Sequence, residues 1–312
     1  MLALAKYSLK GPYHAASVVG MLAIAAVFLP LLVGQSFVSA MVTAVLIVMA
    51  SALVGLIILT QGSVSGLKAI IVSIVGITLV TTLVLKAPTL GLSIGLAQWL
   101  PIIVLAQTLK TTKSLAFMML AGLALALVAI AVQYFVWPDL EAALLPVFQQ
   151  SLAGLAENPA LSSEMLDELT RLIAHRMVLL LVPTMYLLFV SIMLLSRWMQ
   201  AKLSDSDGYS REFNAIALGK PVALVGLVIL LSSIWLDQDW ITSVAMAVMA
   251  AFLYQGIAVV HSKLATNKRK ALILGTFYAL LIISPKVVAV SSIAGMIDNW
   301  WIFRKNRNIE ST

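Results

Sequence analysis

Six residues in this 312-residue chain could do chemistry where the surroundings offer none: Gln98, Trp99, Gln133, Tyr254, Gln255 and Asp298. Each interrupts a long apolar run. The two kinds of group have different uses. The glutamines, the indole and the phenol supply uncharged donors and acceptors that could hold a solute. Asp298 supplies one acid, and an acid in such a setting is costly unless it is paired or hydrated. It lies in "GMIDNWWIFRK" (295–305), deeper than Trp300 and Trp301 and followed by Arg304 and Lys305. It is either salt-bridged to a nearby Arg or Lys or kept as a functional ionisable group.

The catalytic inventory is thin. His14, His175 and His261 are far apart in sequence and form no H-E-x-x-H zinc pattern. "QGSVSG" (61–66) lacks the G-x-S-x-G order of a nucleophile elbow and reads as a tight turn. There is no P-loop and no dinucleotide fingerprint, and with no cysteine there is no thiolate chemistry. No catalytic residue, metal ligand set or cofactor is expected, which disfavours an intramembrane enzyme.

The elements that must position these residues are written in the composition. Hydrophobic residues make up 62% and charged ones 11%, with a mean hydropathy of +1.04. Soluble domains carry about 25% charged residues, so an ordinary globular fold is excluded. Runs such as "AMVTAVLIVMASALVGLIILT" (40–60) reach the roughly 20 residues needed to cross a bilayer. In lipid the backbone must satisfy its own hydrogen bonds, so these runs are helices. The fold class expected is all-α, a polytopic transmembrane bundle of about 9–10 crossings. It forms one integral membrane domain over 1–312, with an amphipathic insertion at 138–176 and a polar loop at 200–220.

Spans are expected at 15–34, 37–60, 66–86, 89–109, 114–137, 177–199, 221–237 and 240–261. The first is read as an uncleaved helix. The stretch 271–303 would run about 50 Å as a single helix, far beyond a core of about 30 Å. Pro285 breaks it, and Lys286 can reach an aqueous interface, giving two short spans and ten crossings; one tilted ninth span is the alternative. The orientation rule places the Lys- and Arg-rich loops, and so the N-terminus, on the cytoplasmic side. Trp300, Trp301 and Arg304 then anchor the last span at that interface. The net charge of +7 lies mainly at span ends, so nucleic acid is not a partner and membrane lipid is.

Two local patterns carry further expectations. "GLSIGLAQWLP" (91–101) places Gly91 and Gly95 four apart, for close helix approach, and ends in Pro101, which removes a helix donor. A span interrupted in this way points to a midplane binding site, although packing alone also explains it. In the insertion, Asn158 caps a helix that Pro159 begins, and Asp167 and Arg171 form an i,i+4 pair. Two amphipathic helices are expected there, lying on the outer face or capping a cavity. Ala16 and Gly20 are expected to pack within the bundle, with docking of a membrane-protein partner on this small-residue face as the alternative; a second copy of the chain is a further partner to consider.

"FLYQGIAVVHSKL" (252–264), together with "GMIDNWWIFRK", resembles the YybS-like, DUF2232 family of bacterial multi-spanning membrane proteins. The residues that carry the resemblance are Gln255, Gly256, His261, Gly295, Asp298, Trp300, Phe303 and Arg304. The family is distantly similar to the substrate-binding components of energy-coupling-factor transporters and to the rod-shape protein MreD. The resemblance therefore implies a bacterial inner membrane and two functions: a solute-binding, transporter-like component, or a non-transport scaffold for envelope or division machinery. The transporter components typically have six helices, so ten crossings is a departure. A closed polar cavity lined by Gln98, Gln133, Gln255 and Asp298 would favour transport. The same residues in packed helix seams would take away its main support.

Overall fold

The computed structural model describes residues 1–34, 36–152, 162–206, 208–301 and 303, and no strand occurs among them. The apolar runs become helices in chain order: α1 Leu2–Ser8, α2 Pro12–Val33, α3 Phe37–Gln61, α4 Ser63–Leu85, α5 Pro88–Thr112, α6 Leu115–Ala131, α7 Leu140–Leu152, α8 Ser163–Leu203, α9 Gly208–Asn214, α10 Lys220–Trp235, α11 Asp239–Lys263, α12 Lys270–Ile283 and α13 Pro285–Ile297. A π-helical turn, Val132–Val136, continues α6. Local chemistry sets many of the ends. Proline opens α2, α5 and α13, where its missing N–H costs nothing. Ser36 and Ser39 cap one another at the start of α3. Gly62 turns the chain from α3 into α4 at φ 97°, a region closed to most side chains, so "QGSVSG" is a hairpin turn.

Among the described residues, seven helices are long and apolar enough to cross a membrane: α2, α3, α4, α5, α6 with its π turn, α8 and α11. The protein is thus a multi-pass membrane protein of the all-α class. α10, with 16 residues, and α12 and α13, with 14 and 13, are shorter than that. Pro285 breaks the last apolar stretch as expected, and α12 and α13 meet at a bend of 114°. Phe303, just beyond α13, lies under the Lys263 ammonium at 5.2 Å. Lys263 ends α11 and leads into α12, so the bent pair leaves and returns at the same end of α11. This geometry opposes a single tilted ninth span. At about 20 Å each, neither helix spans a core of about 30 Å.

The chain divides into two compact units, Met1–Gly122 with Leu188–Ile216, and Leu123–Leu187 with Ala217–Thr312. In the first, α3 is the central element. Its second half is almost wholly buried, and α2, α4 and α5 pack around it. A Cβ on Gly55 would overlap the Ser196 hydroxyl, which itself donates to the Ala52 carbonyl at 2.9 Å. In the second unit α11 is central. α13 crosses it so closely that a Cβ on Gly256 would overlap the Ser291 carbonyl, and one on Gly295 the Phe252 carbonyl.

Several expectations need correction. α5 runs unbroken through Pro101, so that span is not interrupted. The second helix of the insertion is not separate. It is the first part of α8, 41 residues and about 60 Å long. Asn158 and Pro159 lie outside the described residues. Asp167 and Arg171 form no ion pair among the described residues. The 200–220 loop contains helix α9, held to α8 by an Arg197–Glu212 ion pair. The expected internal packing of Ala16 and Gly20, by contrast, is seen: both face Ser73 of α4, whose hydroxyl reaches the Ala16 carbonyl at 3.2 Å.

Candidate functional site

In the first unit, α5 brings Gln98 and Trp99 into the core. Gly91 and Gly95 let it lie against α4, because a Cβ on Gly91 would overlap the Thr78 backbone and one on Gly95 the Ile74 side chain. Toward α3, Gln98 Nε2 donates to Ser51 Oγ at 2.9 Å. Trp99 is buried at 2% exposure, and its indole Nε1 has no hydrogen-bond partner among the described residues.

The second unit holds the other four residues, and three of them lie on α11 or against it. Tyr254 donates its hydroxyl hydrogen to the Leu187 carbonyl of α8 at 2.6 Å. Gln255, fully buried, is used at both ends. Its Oε1 accepts from the Leu218 N–H at 3.0 Å, and its Nε2 donates to Asp298 Oδ2 at 3.1 Å. Asp298 does not sit inside a helix. It is the C-cap of α13, completely buried, and its Oδ1 accepts from the Phe303 N–H at 3.2 Å. Asn299 extends the cluster by accepting from the Gly219 N–H at 3.0 Å and donating to the Gly295 and Met296 carbonyls. The start of α10, the middle of α11 and the end of α13 are thereby tied by one polar knot. Trp300 and Trp301 stay exposed beside it, Lys286 is exposed at the start of α13, and Arg304 lies outside the described residues.

Gln133 is the fourth, and its setting is different. It lies in the π-helical turn, a distortion often found at functional sites. Its Nε2 donates to the Val178 carbonyl at 2.8 Å, but its Oε1 is buried with no hydrogen-bond partner among the described residues. The next residue, Tyr134, meets Ser243 Oγ at 2.8 Å, and Ser243 donates onward to the Leu179 carbonyl at 3.1 Å. Ser243 has one hydrogen, so the phenol must be the donor in the Tyr134–Ser243 bond. On the same helices His175 sits between two acids, with Nδ1 3.1 Å from Glu141 and Nε2 3.7 Å from Asp239. Among the described residues no cluster of His, Asp and Glu is arranged to hold a metal ion.

No protein-family model, curated protein or solved structure matches this chain.

Gln133, Tyr254, Gln255 and Asp298 therefore share a unit, while Gln98 and Trp99 belong to the other. Within the second unit Gln255 and Asp298 are hydrogen-bonded to one another. Asn299, Tyr134 and Ser243 complete the polar clusters and were not singled out by sequence. Asn299 adjoins Asp298 and could have been grouped with it. Ser243 carries no such signal, because a serine in a membrane helix most often bonds a carbonyl of its own helix.

Proposed function

We propose that this chain is a non-catalytic scaffold or biogenesis factor of the membrane rather than a solute conduit. One observation carries the reading. Gln98, Gln255 and Asp298, three of the four groups that would line a closed polar cavity, are each hydrogen-bonded into a helix seam of their own unit, as is Tyr254. Interior polar groups used in this way fix helices in place. The resemblance to the YybS-like family, and through it to MreD, belongs to the same proposal. So does a topology with the Lys- and Arg-rich ends facing the cytoplasm of a bacterial inner membrane.

A solute-binding, transporter-like component is the second reading, favoured by the buried Trp99 Nε1 and Gln133 Oε1, which have no hydrogen-bond partner among the described residues. A small ligand could satisfy either atom. Mass spectrometry of small molecules that co-purify in mild detergent separates the two readings, with wild type, Asp298→Asn, Gln255→Ala and Gln133→Leu compared. The scaffold predicts bulk phospholipid alone, equal in all four, together with lower thermal stability in the two knot variants. A stoichiometric solute lost in any variant overturns it in favour of the second reading.

A further inference from the structure

Where α3 and α5 end in the first unit, side chains from four helices enclose an open cavity of about 400 Å3. Its apolar floor is Leu59 and Leu109, and its polar wall is Lys110, Lys113, Arg197, Gln200 and Glu212. Three cations against one acid leave two positive charges in excess.

The charges are not equivalent. The Arg197 fork is occupied: Nε donates to Glu212 Oε2 at 2.9 Å, a second nitrogen donates to Oε1, and Nη1 donates to Gln200 at 3.1 Å. Gln200 in turn donates to the Leu59 carbonyl at 3.2 Å. That wall is braced, and its own charges cancel. Lys110 and Lys113 are exposed and form no ion pair among the described residues. The Lys110 ammonium rests beside the α3–α4 turn, 3.0 Å from where a Cβ on Gly62 would stand. Lys113 is fixed at the end of α5 in a left-handed conformation, φ 53°, with its N–H on the Leu109 carbonyl at 2.9 Å.

Helix-end electrostatics and the orientation rule account for a lysine in the last turn of a span. They do not require a concave site in which a self-neutralised Arg–Glu wall backs two lysines, neither in an ion pair among the described residues, over an apolar floor. We infer that this cavity is a binding site for the phosphate group of an anionic ligand. Ammonium groups bind phosphate as point charges, without the planar match that an Arg fork imposes. Two of them balance a phosphate carrying one to two charges, and the volume lies within the range of small-ligand sites. The ends of membrane-length helices are also where phospholipid headgroups lie, so either a lipid or free phosphate can supply this chemistry. The inference does not depend on the scaffold reading.

The test uses the full chain in neutral detergent and reads melting temperature and retained lipid by native mass spectrometry. The probes are phosphatidylglycerol, phosphatidylcholine, inorganic phosphate, and chloride at matched ionic strength. Lys110→Gln/Lys113→Gln is the test variant, and Lys202→Gln, exposed on α8 outside the cavity, is the control. The inference requires that phosphatidylglycerol or inorganic phosphate, but not chloride, raises the wild-type melting temperature. The double variant must weaken that ligand on the order of 30-fold, while Lys202→Gln retains it. A response to phosphatidylglycerol alone identifies a lipid headgroup, and a response to inorganic phosphate alone identifies a soluble anion. Equal responses to chloride, equal losses in Lys202→Gln, or no ligand response in wild type each overturn the site.

Discussion

Asp298 shows how a single buried acid constrains its neighbours. The Leu218 N–H must be received by Gln255 Oε1, and this fixes the amide so that its Nε2 faces Asp298. Asp298 must therefore present acceptors on both sides, one to Gln255 and one to the Phe303 N–H. An asparagine there has only one oxygen, so its own NH2 group would meet either the Gln255 amide or the Phe303 N–H, donor against donor. A buried donor left without a partner costs about 1–3 kcal/mol. Asp298→Asn is therefore expected to lower the melting temperature in mild detergent nearly as far as Asp298→Ala. If the asparagine variant is as stable as wild type, the knot is not what holds this end of the unit together.

At the scale of elements, stability rests on how closely helices approach. α11 and α13 pack backbone to backbone at Gly256 and Gly295, where even a methyl group has no space. Overpacking of this kind costs about 1–3 kcal/mol, so Gly256→Ala and Gly295→Ala are expected to destabilise the protein clearly. Gly275 on α12 has open space around it, and Gly275→Ala is expected to be neutral, or to stabilise by up to about 1 kcal/mol through helix propensity. Thermal melts of the three variants check the contrast; a Gly275→Ala loss matching the other two removes it. Much of this level was legible in the sequence. Seven of the expected spans, the break at Pro285 and the close approach at Gly91 and Gly95 follow from hydropathy, from proline's missing donor and from glycine's missing Cβ; the expected spans at 221–237, 271–284 and 287–303 are helices too short to be counted with the seven. The continuity of α5 was not legible, because neighbouring helices can accommodate the gap that Pro101 leaves in the ladder. Nor was the length of α8. Amphipathic and apolar patterns share the same helical period, so the residues from Ser163 to Met177 give no signal of where a surface helix stops and a span begins. The polar residues were legible as a set but their partners were not, since those partners are backbone groups and hydroxyls brought close by packing.

For the whole molecule, the topology of the C-terminal part follows from two contacts. Asn299 is tied to Gly219 at the start of α10, and Phe303 lies beside Lys263 at the end of α11. The chain after α13 thus returns to the end from which α12 departs, whereas the α10–α11 connection at Asp237 sits at the opposite end of both helices. The natural sequence has no cysteine, so a single introduced thiol reports its own position with no background. Lys263→Cys and Trp301→Cys are expected to react with a membrane-impermeant maleimide from the same side of the membrane. Asp237→Cys is expected to react only from the other. Labelling of Trp301→Cys together with Asp237→Cys would make α12 and α13 one broken span after all. Lys286→Cys, at the bend, then tells how deep the pair goes. Reaction from the Asp237 side marks two crossings, and slow reaction from either side marks a re-entrant loop whose apex stops inside the bilayer. The lengths of α12 and α13, about 20 Å each against a core of about 30 Å, favour the re-entrant outcome.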